Sequence, residues 1–252
     1  MRNIVTCAGM IAAFYWYQQC FSQITVATAS NMQFAMEELR AEFTKETKTG
    51  VKAVYGASGK LVAQIKNGAP FDIFLSADVG YADSAAKWGY AATKPKIYAY
   101  GLLALWTMKP IDLKNGMNVL TDSVVKKIAI ADPKVTAYGP AAIVAMKKAG
   151  VYDAVAPKLV FGDNISQAAQ YIVTGAADIG FVALSIAMSQ PMQGKGTWVL
   201  VDKTTYPPIG QAAIILKYGD DNNREMALAF YTFIYSIKAR EILKRYGYEL
   251  PL

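Results

Sequence analysis

From Gln23 onward the sequence alternates short β-branched runs with segments whose apolar residues recur every three or four positions. That alternation restricts the fold more than any other feature. Residues 24–27 (ITVA) read as a first strand. Met32, Met36, Leu39 and Phe43 then fall in steps of four, three and four, which puts them on one helical face. Gly50 is expected to end that helix, and residues 51–55 to form a second strand. Leu61, Val62 and Ile65 mark a short helix closed by Asn67-Gly68. A strand at 73–75 and a helix through 81–88 follow. The same reading gives strands at 102–106, 128–131, 158–161, 179–182, 198–201 and 212–216. It places helices at 139–149, 166–173, 223–235 and 239–246. Strands alternating with helices predict an α/β fold with mostly parallel sheets covered on both faces. Ligands in such folds sit beyond the carboxyl ends of strands, where helices begin.

The first 22 residues read differently. Arg2 is the only charge before Glu37, an apolar run extends from Ile4 to Tyr17, and small residues at Cys20 and Ser22 suit cleavage before Gln23. This is the layout of a secretory signal peptide, residues 1–22, which implies export to the periplasm. A retained anchor fits less well, because a membrane span needs about 20 apolar residues. A lipoprotein signal fits poorly too, since Gln19 precedes Cys20.

Both cysteines, Cys7 and Cys20, lie in that leader, and there is no histidine in the 252 residues. Removal of the leader takes away disulfides and thiolate sites. The missing histidine excludes Ser-His and Cys-His nucleophile pairs and the commonest zinc ligand. The net charge is +7, but the lysines are scattered, with only short clusters such as Lys126-Lys127 and Lys147-Lys148. Nucleic-acid binding needs bases and stacking aromatics on one face. A diffuse positive field suits a small anion or simple solubility.

Four strand-to-helix junctions carry small or polar residues: Ala29-Ser30-Asn31, Gly56-Ala57-Ser58-Gly59, Ala137-Tyr138-Gly139 before Pro140, and Gly162-Asp163-Asn164-Ile165. A helix N-terminus offers unpaired N–H groups and about half a positive charge, so four together offer on the order of two. Taken singly, Ser30, Asn31 and Ser58 serve equally well as helix caps. Tyr138 suits a surface or hinge aromatic, and Ile165 plain core. Only their conjunction points to a dianion.

Enzyme motifs fail on inspection. Gly59-Lys60 lacks the upstream glycine and following hydroxyl of a phosphate loop, having Val54 and Leu61 instead. Gly56-Ala57-Ser58 begins a nucleophile elbow, but Lys60 stands where the second glycine belongs. Asp72, Asp78 and Asp83 share one segment, and Asp78 reads as a cap or hinge contact rather than a metal ligand.

The segments ITVATASNMQFAMEEL, VYGASGKLVAQIKNGAPFDIFLSAD, IADPKVTAYGPAAIVAM, FGDNISQAAQYIVTGAADIGFVALS and KRYGYELP together resemble the periplasmic molybdate-binding proteins, the substrate-binding components of molybdate ABC transporters. The resemblance implies a type II periplasmic-binding-protein fold, with two α/β lobes joined by a two-strand hinge. Lobe I is then discontinuous, residues 23–99 and 206–252, and lobe II spans 100–205. It implies a non-enzyme, expected as a monomer, that delivers molybdate, and also tungstate, to the membrane subunits of a permease. No cofactor and no direct metal ligation are implied, only an oxyanion held by hydroxyls and main-chain N–H groups. Carried over, Ser30 and Ser58 donate through hydroxyl and backbone, Asn31 through an N–H or its amide, and Tyr138 and Ile165 through main-chain N–H groups. Some members carry a tyrosine whose hydroxyl reaches the anion where this chain has Ala183, and Asn31 becomes the natural substitute. Another tetrahedral oxyanion, such as sulfate or phosphate, stays open as the ligand. So does, in a different class, a secreted ester hydrolase.

Overall fold

A computed structural model describes residues 23–251. The expected signal segment, with both cysteines, lies outside the described residues. Ten strands run in chain order as β1 (Gln23–Ala29), β2 (Gly50–Gly56), β3 (Ile73–Ser76), β4 (Lys96–Gly101), β5 (Leu103–Thr107), β6 (Ile128–Ala131), β7 (Leu159–Gly162), β8 (Ile179–Ala183), β9 (Thr197–Leu200) and β10 (Ile209–Ile215). Among the described residues they form two five-stranded sheets. The first has the order β2-β1-β3-β10-β4 and the second β7-β6-β8-β5-β9.

The helices are α1 (Gln33–Thr47), α2 (Ser58–Lys66), α3 (Val79–Lys87), α4 (Tyr138–Lys148), α5 (Tyr152–Val155), α6 (Ile165–Val173), α7 (Leu184–Ala187), α8 (Lys217–Asn222), α9 (Arg224–Ile234) and α10 (Ile237–Arg245). Period-two burial explains how they coat the first sheet. Val26, Ile73, Leu75, Ala213 and Ile215 face a cluster shared with α1, α9 and α10. Their neighbours Ala27, Phe74, Ala212 and Ile214 face the opposite one, with Leu61, Val62 and Ile65 of α2. Phe43 of α1 meets Phe230 of α9 edge-on, at 5.0 Å between ring centroids.

The sheets are mixed rather than mostly parallel, which corrects the sequence expectation. β1 runs parallel to β2 and β3, but β10 is antiparallel to β3 and β4. Likewise β6 is parallel to its neighbours, and β5 is antiparallel to β8 and β9. The reason lies in the crossings. β4 passes through Leu102 straight into β5, and residues 201–208 carry β9 into β10. A strand that arrives from the other sheet is free of the helical crossover that parallel neighbours require.

β4 itself is missing from the sequence reading, because Lys96, Tyr98 and Tyr100 break its apolar character. Helix α1 also ends earlier than expected. Lys48 takes a left-handed φ of 59° and donates to the Thr44 carbonyl at 2.9 Å, while Gly50 already belongs to β2.

Candidate functional site

Two neighbouring parallel strands of each sheet end at the same place. β1 leads through the tight turn Ser30–Met32 into α1, and β2 leads through Ala57 into α2. From the second sheet, β6 leads to α4 and β7 leads through the cap Asn164 to α6. All five residues singled out in the sequence, Ser30, Asn31, Ser58, Tyr138 and Ile165, are buried and line one cavity of ≈ 10 Å³ there. Thr136, four alanines and Gly56 complete the wall.

Close main-chain packing makes this convergence possible. Gly59 donates its N–H to the Val135 carbonyl at 2.9 Å, which ties the start of α2 to the loop before α4. A Cβ on Gly139 would lie 2.3 Å from the Ala131 carbonyl oxygen and 2.8 Å from Pro133 Cα. Only glycine lets α4 begin so close to the end of β6.

The donors follow from helix geometry. Ser58, Tyr138 and Ile165 are the first residues of α2, α4 and α6, and first-turn N–H groups have no acceptor within their own helix. The Ser58 hydroxyl accepts from the Ala77 N–H at 3.0 Å. Its single hydrogen is therefore free to donate elsewhere. No Lys, Arg, Asp or Glu side chain lines the cavity. Lys60 and Asp163 pair at 3.1 Å near it, but both are largely exposed, where such pairs contribute little. Asp78, as expected, caps α3 by accepting from the Gly80 N–H at 2.6 Å. No cluster of acidic residues suited to a metal occurs among the described residues. The arrangement is suited to holding a compact anion on neutral hydroxyl and peptide donors.

Asn31 departs from its expected role. Its Nδ2 donates to Gln211 Oε1 at 2.9 Å and to the Tyr248 hydroxyl at 2.8 Å. Both amide hydrogens are thereby committed, so the side chain does not replace the hydroxyl missing at Ala183, and only the peptide N–H remains for the cavity. Ala183 is buried at the end of β8 and is not part of the cavity wall. Tyr138 spans two surroundings. The residue lines the cavity, while its hydroxyl lies so close to β4 that a Cβ on Gly101 would come within 2.1 Å. Burial pushes that hydroxyl's pKa well above its ordinary value, against a smaller opposing influence of Gln211, so it stays neutral.

Tyr248, Ser185 and Gln211 were not singled out in the sequence. They lie 154 to 217 residues from Asn31 along the chain, and nothing local to any of them marks the contact.

The chain matches the family of bacterial extracellular solute-binding proteins over residues 24–249. It is 39% identical over 227 residues to the molybdate-binding protein of Rhodobacter capsulatus, covering 90% of this chain and 88% of that one. Against the molybdate-binding protein of Azotobacter vinelandii it is 37% identical over 230 residues, covering 91% and 90%. The solved structure of the Azotobacter vinelandii periplasmic molybdate-binding protein superposes with a TM-score of 0.85 at 32% identity, over 91% of this chain and 100% of that chain. A sulfate-binding protein from Mycobacterium tuberculosis reaches a TM-score of 0.74 at 14% identity, covering 91% and 87%. That is a likeness of fold alone.

Proposed function

This chain belongs to the bacterial extracellular solute-binding proteins, and from that premise we propose that it captures molybdate in the periplasm and delivers it to an ABC permease. The observation that supports this reading best is the convergence of Ser30, Asn31, Ser58, Tyr138 and Ile165 on one buried cavity without a counter-charge. Molybdate is the cargo, bound through its oxygens, and no protein atom ligates the metal. Ser30 and Ser58 donate hydroxyl and main-chain hydrogens, while Asn31, Tyr138 and Ile165 donate main-chain N–H groups. Hydrogen bonds to an ionised acceptor are roughly twice as strong as neutral ones, and the low dielectric of a closed cavity strengthens them further. The helix N-termini add on the order of two positive charges in all.

The working unit is a pair of lobes, residues 23–99 with 206–252 and residues 100–205, joined by the two crossings. The residues assigned to the anion come from both lobes, so it enters when the lobes part. Closure then places donors from both lobes on its oxygens, and the membrane subunits recognise the closed monomer. Sulfate, with shorter bonds, leaves some buried donors unpaired, at a cost of about 1–3 kcal/mol each. Tungstate matches molybdate in size and charge and binds alongside it.

Parallel calorimetric titrations with molybdate, tungstate and sulfate test the reading. Tight, equimolar binding of the first two and weak binding of sulfate is the expected result. Preference for sulfate, or no heat with any of the three, removes it.

A further inference from the structure

We propose that Tyr248 and Ser185 are positioning residues for the anion site, closing a hydrogen-bond circuit through Asn31 that clamps the two lobes together and sets how fast the anion leaves. The proposal rests on the reading of the cavity as an oxyanion site, and neither residue lines that cavity.

The distances define the circuit. Asn31 Nδ2 donates to the Tyr248 hydroxyl at 2.8 Å. The Tyr248 oxygen lies 3.2 Å from Ser185 Oγ and 3.1 Å from the Asn31 carbonyl. Ser185 Oγ lies 2.9 Å from that same carbonyl. Each hydroxyl has one hydrogen to give. The Ser185 hydrogen goes to the Asn31 carbonyl, and the Tyr248 hydrogen is shared between that same carbonyl and Ser185 Oγ. The path from the Asn31 amide through both hydroxyls therefore closes on the residue where it began. All three residues are buried. Burial is the dominant influence and holds the Tyr248 hydroxyl well above its ordinary pKa, so its proton stays in place.

The members come from both lobes. Asn31 follows β1 and Tyr248 follows α10, in lobe I, while Ser185 lies on α7, in lobe II. A second serine of lobe II repeats the arrangement one residue earlier, where Ser166 Oγ donates to the Ser30 carbonyl at 3.0 Å. Consecutive carbonyls of the Ser30–Asn31 segment are thus each held by a serine from the opposite lobe. The Ser30 carbonyl and the Asn31 N–H belong to one peptide unit. A hydrogen bond to the oxygen polarises that unit and strengthens donation by the nitrogen. Ser166 thus acts on the Asn31 N–H directly, while Ser185, with Tyr248 behind it, holds the next carbonyl and so fixes the segment that carries that N–H across the two lobes. Losing these contacts eases opening and speeds release. Capture starts from the open form, so its rate changes little.

The test uses the full chain and isotope-labelled molybdate chased with an excess of unlabelled molybdate, alongside thermal melts without ligand. Tyr248→Phe keeps the ring volume, and Ser185→Ala removes only a hydroxyl. Each is expected to raise the release rate about tenfold, the equivalent of one net hydrogen bond, with association changed less than about twofold. Because either change opens the same circuit, the double variant releases no faster than the faster single variant. Unchanged release rates in both single variants overturn the proposal, as does a double variant whose effects simply multiply. A shift confined to the unliganded melts also overturns it, since that marks a purely structural role. Failure of the unaltered chain to bind molybdate is a separate outcome, which removes the functional reading and this proposal with it.

Discussion

Replacing Ser58 by alanine separates two effects of one hydroxyl, one structural and one proposed for the anion. Its oxygen accepts from the Ala77 N–H at 3.0 Å, and its hydrogen is the one proposed to donate to the anion. Alanine leaves the Ala77 N–H without that partner, which costs about 1–3 kcal/mol of folding stability. That loss is present with and without ligand, so it cancels from the binding free energy. What remains is one hydrogen bond to a charged acceptor, about 1.5–3 kcal/mol. The dissociation constant for molybdate should therefore rise by about tenfold to 150-fold. The unliganded melting temperature should fall by about 2–4 °C for each kcal/mol lost. Calorimetric titration gives the first quantity and a thermal melt the second. Molybdate affinity equal to that of the unaltered chain, alongside a lowered melting temperature, would refute the assignment of the hydroxyl to the anion.

Three further changes probe separate parts of the argument. Gly139→Ala drives a methyl against the Ala131 carbonyl and Pro133, main-chain atoms that cannot swing aside. A loss of about 1–3 kcal/mol in denaturant unfolding is expected, with weaker molybdate binding, and an unchanged midpoint contradicts it. Lys60→Ala removes the cation of the exposed pair near the site, and affinity should shift by less than about 1 kcal/mol. A larger loss shows that the anion does use a counter-charge.

Asp178 supplies the pH test. Burial alone would raise its pKa, but the Lys109 ammonium and the N–H groups of Lys127 and Lys126 together outweigh burial and hold it below its ordinary 3.8. With the folded pKa depressed, the stabilisation is fully present above about pH 4 and is lost as pH falls through the folded value. Asp178→Asn should cost about 1.5–3 kcal/mol at pH 7 and progressively less below pH 4. An equal cost in denaturant unfolding at pH 7 and pH 3 contradicts that assignment.

The helix starts were legible because their residue types are forced. A strand that ends in small polar residues before a 3.6-period apolar pattern has few other readings. Four such junctions therefore located Ser30, Asn31, Ser58, Tyr138 and Ile165 before any coordinates. Strand direction was not legible in the same way. Residues 212–216 read as one more apolar strand, and nothing in AAIIL tells whether it enters its sheet from a covering helix or from the other sheet. β4 escaped because Lys96 and the two tyrosines hide a strand that is buried only in part. The partners of the Asn31 side chain, Gln211 and Tyr248, were not legible because they lie 180 and 217 residues away. A pattern read along the chain cannot register a contact that only the closed fold creates.

The placement of β10 between β3 and β4 has a consequence for how the chain comes into being. β5 to β9 are contiguous, so the second sheet can form as soon as residue 200 is available. The first sheet must hold an open slot until residue 215 arrives. Tyr100 exchanges both main-chain hydrogen bonds with Glu249, so even the edge strand β4 waits for the last residues. A chain emerging N-terminus first thus carries an unfinished half for nearly its whole length.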